Sequence, residues 1–388
     1  MDKNFKVPEF ITEYSFEDIR PFYDGEAKEV LQRIVANPLF YKLIHYLWPE
    51  MTKEEVAEKV NRVNSNLDFQ LEFMHKAIRT IVSRSSSGLT FSGIEHLDRN
   101  DAYLFVANHR DILLDSAILQ IILVENNFST SEITFGNNLM EDGFITDFGR
   151  LNRMFKVERE GTSKELYEIS KKLSAYVRHT IVNKKTSAWI AQRNGRTKDG
   201  IDLTQTGLLK MLNLSGSNSF DNNFKQLKIV PLTISYEYEP CDVLKTRELY
   251  LSSLHSKYQK APGEDLNSIL TGINQPKGRI HLSFGKPILE DLNYDSESIN
   301  ENEKVKCLSA LIDQRIHTNY KLWPVNYIAA DLLGETSKYS SKYSEQEKLE
   351  FVKYASESVA KTGFSEDSIH QLFLKIYANP VISKNQYC

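Results

Sequence analysis

The chain has 388 residues, of which 41% are hydrophobic and 26% are charged, and its formal net charge is −4. This is globular composition, long enough for one large core with additions or for two domains. The slightly acidic balance argues against nucleic-acid binding. Three widely separated cysteines, Cys241, Cys307 and Cys388, predict neither a disulfide framework nor a metal site, and they fit a reducing cytoplasm.

The first part of the chain is predicted to be helical. Val30 and Ile34 recur at helical spacing, and Thr52 with Glu55 has the spacing of a capping box. A serine-rich break follows and ends at residue 88. We therefore predict an N-terminal helical domain over residues 1–88.

The character of the sequence then changes to short runs of apolar, β-branched and aromatic residues. These runs cover residues 102–107, 132–136, 187–192, 227–238 and 279–288. Helical patterns such as residues 163–182 separate them, so the strands must be joined by crossovers. The prediction is an α/β domain over residues 89–294, with a mixed, mainly parallel sheet flanked by helices. A C-terminal helical extension is predicted for residues 295–388.

Polar residues gather where the first of these runs ends. His109 follows it directly, and a histidine at the end of a strand can act as a general base when a carboxylate orients its ring. Asp111 is expected to cap the next helix, and Asp115, about one turn further on, is the better partner for His109. The alternative is a structural histidine beside a capping aspartate.

A second polar stretch follows the run that ends near residue 192. Arg193, Arg196 and Lys198 surround Gly195 there. Guanidinium groups bind phosphate through paired hydrogen bonds, and a glycine lets backbone N–H groups approach an anion. This pattern predicts a phosphate-binding turn, although a solvated surface turn has the same composition.

Together these stretches resemble the glycerolipid acyltransferase family, which includes glycerol-3-phosphate and 1-acylglycerol-3-phosphate acyltransferases. That family carries four sequence blocks, and each has a counterpart here in the same order. The counterparts are Asn108-His109 with Asp115, the strand MFKVER ending in Arg159, the turn with Gly195 and Arg196, and the apolar strand IVPLTISYE with Pro231. They span roughly residues 90 to 290.

The chain departs from the family pattern in two places. The first block is N-H-x4-D in the family, but here five residues separate His109 from Asp115. The catalytic aspartate is therefore open between Asp115 and Asp111. In the third block Asn194 replaces the family's usual glutamate, which keeps hydrogen bonding but removes the charge.

The resemblance implies an O-acyltransferase of phospholipid biosynthesis. It would move a fatty acyl group from acyl-CoA or acyl carrier protein to glycerol-3-phosphate or 1-acylglycerol-3-phosphate, without a metal or redox cofactor. His109 would be the base, oriented by Asp115 or Asp111. The expected substrate-binding residues are Arg110, Arg159, Arg193, Asn194, Gly195, Arg196 and Pro231.

A lipid product implies contact with a membrane surface. No apolar run reaches the ~18 residues of a membrane-spanning helix, so we expect a cytoplasmic protein held peripherally on the inner face of the membrane. The stretch 37–48 is the candidate for attachment, unless its apolar face packs on the α/β core. Two rival functions stay open: a catalytically weak lipid- or thioester-binding module, and a hydrolase that activates water.

Overall fold

A seven-stranded sheet with the order β1-β7-β6-β2-β5-β3-β4 lies at the centre of the fold. The computed structural model describes residues 14–137, 143–158, 160–254, 258–296 and 298–387. The strands are β1 (Gly88–Ser92), β2 (Leu104–Ala107), β3 (Glu132–Gly136), β4 (Met154–Val157), β5 (Ala188–Ala191), β6 (Ile229–Tyr236) and β7 (Arg279–Phe284). All neighbours are parallel except β6 and β7. The predicted mixed, mainly parallel sheet is confirmed.

Helices cover both faces of the sheet, and further helices precede β1 and follow β7 in the chain. In the N-terminal part these are α1 (Ala27–Ala36), α2 (Pro38–Leu47), α3 (Lys53–Arg62), α4 (Asn66–Phe69) and, after a π-helical turn, α5 (His75–Ser85). Among the strands lie α6 (Leu114–Glu125), α7 (Gly143–Leu151), α8 (Ser163–Arg178), α9 (Thr206–Asn213), α10 (Phe220–Leu227), α11 (Asp242–Leu254) and α12 (Glu264–Asn274). After β7 come α13 (Glu301–Asn319), α14 (Pro324–Gly334), α15 (Glu345–Lys361) and α16 (Asp367–Asn385).

The central strand β2 is buried on both faces. Phe105 and Ala107 belong to the apolar core on one face, whereas Leu104 and Val106 belong to the core on the other. A continuous apolar run is what a strand covered on both sides requires. The residues that follow β2 are therefore anchored at the end of a fully buried strand.

The N-terminal helices contribute to an apolar cluster of their own, and α3 begins at the predicted capping box. The Thr52 side chain accepts from the Glu55 N–H and the Glu55 carboxylate accepts from the Thr52 N–H, so the capping box is present. In α2, Phe40 and Ile44 are buried within this cluster, whereas four large apolar residues are exposed: Leu39, Tyr41, Leu43 and Tyr46. Inward packing thus accounts for only part of its apolar surface. Among the described residues, no helix is long and apolar enough to span a bilayer.

The C-terminal helices hold the loop that follows β5. The Asn379 side chain donates to the Asp199 carbonyl at 2.6 Å, and Gly200 lies directly against the backbone of Ile376 in α16. Helix α16 also packs on α14 and α11. The boundaries drawn from the sequence at residues 88 and 294 stay predictions.

Candidate active site

His109 and Asp115 form a hydrogen-bonded pair at the end of β2. His109 Nδ1 lies 2.9 Å from Asp115 Oδ2, and the two side chains are 15% and 1% exposed. Asp115 Oδ2 also accepts from the N–H groups of Arg110 (2.6 Å) and Asp111 (2.9 Å). Because a carboxylate accepts the Nδ1 proton, the lone pair of the neutral imidazole sits on Nε2.

The Asn108 side chain sets the direction in which His109 leaves the sheet. Its Oδ1 accepts from the Ile234 N–H at 2.8 Å, and its Nδ2 donates to the Ile234 carbonyl at 3.0 Å. The amide therefore pairs with β6 as a backbone group would. The chain can then turn at His109 without leaving the edge of β6 unsatisfied.

Asp111 contacts the backbone of the next helix instead of His109. Its Oδ1 accepts from the N–H groups of Leu113 (2.9 Å) and Leu114 (2.8 Å), as predicted for a helix cap. Its Oδ2 has no hydrogen-bond partner in the described ranges and lies against Gly272 of α12, where an ideal Cβ would be 2.2 Å away. Burial and the charge of Asp115 raise the pKa of Asp111. The carboxylate that contacts His109 is therefore that of Asp115.

The basic turn after β5 lies next to this pair. The Thr197 N–H donates to the His109 carbonyl at 2.7 Å, which joins the turn to the histidine loop. Gly195 has a left-handed backbone (φ 75°), and nothing lies within 4 Å of the position its Cβ would take. Arg196 is 8% exposed, and within the described part of the chain its Nη1 has no hydrogen-bond partner.

Other basic-turn residues lie elsewhere. Arg193 and Asn194 do not line the cavity that contains His109, and the exposed Asn194 donates its N–H to Gln205. Lys198 forms an ion pair with Glu248. Within this turn, Gly195 and Arg196 are the residues that reach the cavity.

Two residues predicted to contact the substrate have buried side chains. Arg110 is fully buried, and its guanidinium group donates to Asp202 (2.5 and 3.1 Å) and Glu239 (3.1 Å). Pro231 is buried inside β6, where it is paired with Val106 of β2. Neither side chain has a free surface for a ligand. Arg159, predicted to bind phosphate, lies outside the described residues.

The Arg110 side chain is part of a buried network of charges. Burial by itself would lower its pKa, but Asp202 and Glu239 outweigh that effect and raise it well above the ordinary value. Lys245 is also buried and donates to Glu239 Oε1 (2.6 Å) and to the Arg110 carbonyl (2.7 Å). Two cations thus face two carboxylates beneath the histidine loop.

His109, Gly195 and Arg196 line one open cavity, which has about 690 Å³ of empty space when the adjoining solvent is included. Trp189, whose ring centre is 5.6 Å from that of His109, lines it too. Lys260, just before α12, and Asp265, in the first turn of α12, reach it as well. Nothing in the sequence near those two residues indicates this placement, because it depends on how α12 packs. In the described ranges, no cluster of three His, Cys, Asp or Glu side chains could hold a metal ion.

One apolar cavity adjoins the site, and a second adjoins the first. One, of about 420 Å³, shares Ser116, Ile133 and Met154 with the site cavity and runs between α5, α6 and the sheet. The other is a surface groove of about 1010 Å³ between α2, α5 and α12, and it shares Met74, Ile78 and Leu113 with the first. The groove exposes only apolar surface. An apolar chain can therefore lie alongside the polar site.

The segment that carries the site is similar to known proteins. Residues 88–235, from β1 to β6, match a family model described as Acyltransferase. No curated protein matches the chain in sequence. Among solved structures, the 1-acyl-sn-glycerophosphate (LPA) acyltransferase PlsC from Thermotoga maritima is similar, with 12% sequence identity and a TM-score of 0.37 over 74% of this chain and 94% of that one.

Proposed function

We propose that this protein, whose residues 88–235 match a family model described as Acyltransferase, transfers a fatty acyl group from a thioester to a hydroxyl of a phosphate-bearing glycerol backbone. One observation carries the proposal. His109, which is paired with Asp115, lines one cavity together with Arg196, whose Nη1 has no hydrogen-bond partner among the described residues, and this cavity adjoins apolar space. A base, an anion-binding group and room for an acyl chain are what this reaction needs.

In the proposed reaction the acceptor supplies the nucleophile. His109 Nε2 takes the proton of the acceptor hydroxyl while its oxygen attacks the thioester carbonyl carbon. Asp115 stabilises the imidazolium that forms, because its Oδ2 already accepts the Nδ1 proton. The tetrahedral intermediate then releases the thiolate, and the thiolate receives the proton from His109. No metal or redox step is needed.

Arg196 is proposed to bind the acceptor phosphate, and the open space at the Cβ position of Gly195 is proposed to let the anion approach the backbone of the turn. Arg159 is proposed as a second phosphate ligand from its place in the sequence. Arg196→Ala should raise the acceptor KM by roughly tenfold or more, with little change in the thioester KM, because a charged hydrogen bond is lost. Steady-state kinetics with each substrate varied in turn measures this.

Lys198→Ala is the matched control, because Lys198 belongs to the same turn but is paired with Glu248. It should leave both KM values nearly unchanged. A rise in the thioester KM alone in Arg196→Ala would mean that the turn binds the phosphates of the donor instead.

The inner apolar cavity is proposed to take the acyl chain. Ala117 lines this cavity, beside Ile121 and Ile133. Ala117→Phe fills part of it and should shift the preference to shorter chains, with roughly tenfold lower kcat/KM for the longest donor used. Competition between short and long acyl-CoA molecules in one reaction measures this. An unchanged ratio would place the acyl chain elsewhere, the surface groove being the next candidate.

The decisive experiment measures thiol release by the full chain from acyl-CoA and from acyl carrier protein. Acceptors are glycerol-3-phosphate, 1-acylglycerol-3-phosphate or none. An acyltransferase releases thiol only with an acceptor, a hydrolase releases it without one, and a binding module releases none. The same panel identifies the donor and the acceptor.

Peripheral attachment to the inner face of the cytoplasmic membrane is part of the proposal. The exposed apolar side chains of α2 lie near those of α12, Leu266 and Leu270, and the Tyr46 hydroxyl joins the two helices through Asn274. The apolar groove opens between these helices. A surface of this kind inserts shallowly and binds weakly without a second signal.

We expect Leu43→Asp combined with Leu270→Asp to reduce co-sedimentation with phosphatidylglycerol–phosphatidylethanolamine vesicles several-fold, because both changes put charge into the apolar surface. Leu349→Asp is the control, since Leu349 is more exposed than either of these leucines but lies on α15. Equal co-sedimentation of both variants would contradict attachment through α2 and α12.

A further inference from the structure

Tyr236 contacts the carboxylate oxygen of Asp115 that does not contact His109. It is the last residue of β6, it is 1% exposed, and its hydroxyl donates to Asp115 Oδ1 at 2.9 Å. The other oxygen, Oδ2, accepts from His109 and from two backbone N–H groups. The carboxylate is therefore fixed on both sides, and the tyrosine is its side-chain contact on the side away from His109.

We propose that Tyr236 is a positioning residue of the acyl-transfer site, which fixes the rotation of the Asp115 carboxylate and weakens its pull on the His109 imidazolium. This inference rests on the proposed function for its catalytic meaning. Its structural content, a coupling from Tyr236 through Asp115 to His109, does not depend on which substrate is used.

The hydroxyl is a permanent donor. Burial, together with the charges of Asp115 and Asp111, raises the pKa of Tyr236 well above its ordinary value. The phenol therefore stays protonated over the whole working range of pH. A carboxylate that shares its charge with this donor stabilises a neighbouring imidazolium less than one without it.

Removal of the hydroxyl should consequently stabilise the charged form of His109. A larger fraction of the histidine would then be protonated near neutral pH and unable to act as a base. Other groups also set the local field, and they are unchanged by the substitution. They are Asp111, Glu239, Tyr320, Arg110 and Arg196, with Lys260 and Asp265 at the cavity wall.

The test is Tyr236→Phe beside Tyr176→Phe. Tyr176 is a matched control, because it is equally buried and donates to a buried carboxylate, that of Glu132 (2.6 Å), within the core on the opposite face of the sheet. Both variants lose one buried hydrogen bond and should show a lower Tm. Only Tyr236→Phe should move the acidic limb of the kcat/KM profile, to higher pH by about 0.5 unit, with a roughly fivefold loss at the plateau.

An acidic limb that stays in place in Tyr236→Phe, with a Tm loss like that of the control, would overturn the proposal and leave Tyr236 a structural residue. A second measurement needs no turnover: NMR titration of the His109 ring in both proteins. A higher midpoint in Tyr236→Phe supports the coupling, and an equal midpoint overturns it. If the wild-type chain transfers no acyl group, the proposed function fails while this titration still decides the role of Tyr236.

Discussion

Replacement of His109 by alanine should lower acyl transfer by about 100-fold or more, because a general base contributes about this much to the rate. The fold should persist, since His109 makes its side-chain hydrogen bond only to Asp115 among the described residues. Turnover of acyl-CoA with a saturating acceptor measures the loss, and circular dichroism checks the fold.

His281→Ala is the control for this prediction. His281 is partly buried in β7 and contacts Thr90 and Ser92, away from the cavity that contains His109. Its loss should leave turnover near the wild-type value. Activity within a few-fold of wild type in His109→Ala would refute the proposed base and with it the mechanism.

Replacement of Arg110 by alanine is expected to give the largest loss of stability. The guanidinium group is fully buried between Asp202 and Glu239, so its removal leaves two carboxylates without that partner. Breaking a buried pair in this way costs about 3–5 kcal/mol in the free energy of unfolding. Urea unfolding followed by tryptophan fluorescence measures the change.

Arg33→Ala shows what an exposed ion pair contributes. Arg33 contacts Asp147 and Glu29, but its side chain is 46% exposed. Solvent screening limits such pairs to about 0–1 kcal/mol. Similar losses in the two arginine variants would contradict the view that the Arg110 network is a buried support of the histidine loop.

The sheet was largely predictable, because buried strands are continuous apolar runs. Five of the seven strands coincide with runs chosen on that basis, with ends that differ by a few residues. β4 was indicated only by the family resemblance. β1 was missed, since it is an edge strand with mostly exposed residues and has no apolar run to reveal it.

The site was predictable where local geometry determines it. Asp111 precedes a helix and caps it, and Asp115 lies one turn further on, where it can face His109. For Arg110 the sequence indicates a ligand contact, because a charged residue beside a candidate base has that pattern, whereas in the structure its guanidinium group pairs inside the protein. Its partners Asp202 and Glu239 are 92 and 129 residues away, a pairing that depends on tertiary packing.

Tyr236 is not among the residues that the sequence predicts for the site, for a related reason. It lies in the strand that matches the fourth family block, but the candidate residue of that block is Pro231. A tyrosine at the end of a buried strand needs a hydrogen-bond partner, and that requirement was the available signal. The identity of the partner, Asp115, depends on how α6 packs against the sheet.

Gly272 lies where α12 meets the start of α6, and the lack of a side chain there lets the two helices pack closely. Because Gly272 lies directly against Asp111, the carboxylate that caps α6 also limits how closely α12 can approach. Asp265 belongs to the first turn of α12 and Lys260 lies just before it, and both line the cavity. A single methyl group at position 272 would therefore act as a spacer, and the cavity wall formed by Lys260 and Asp265 and the position of α6 would shift together.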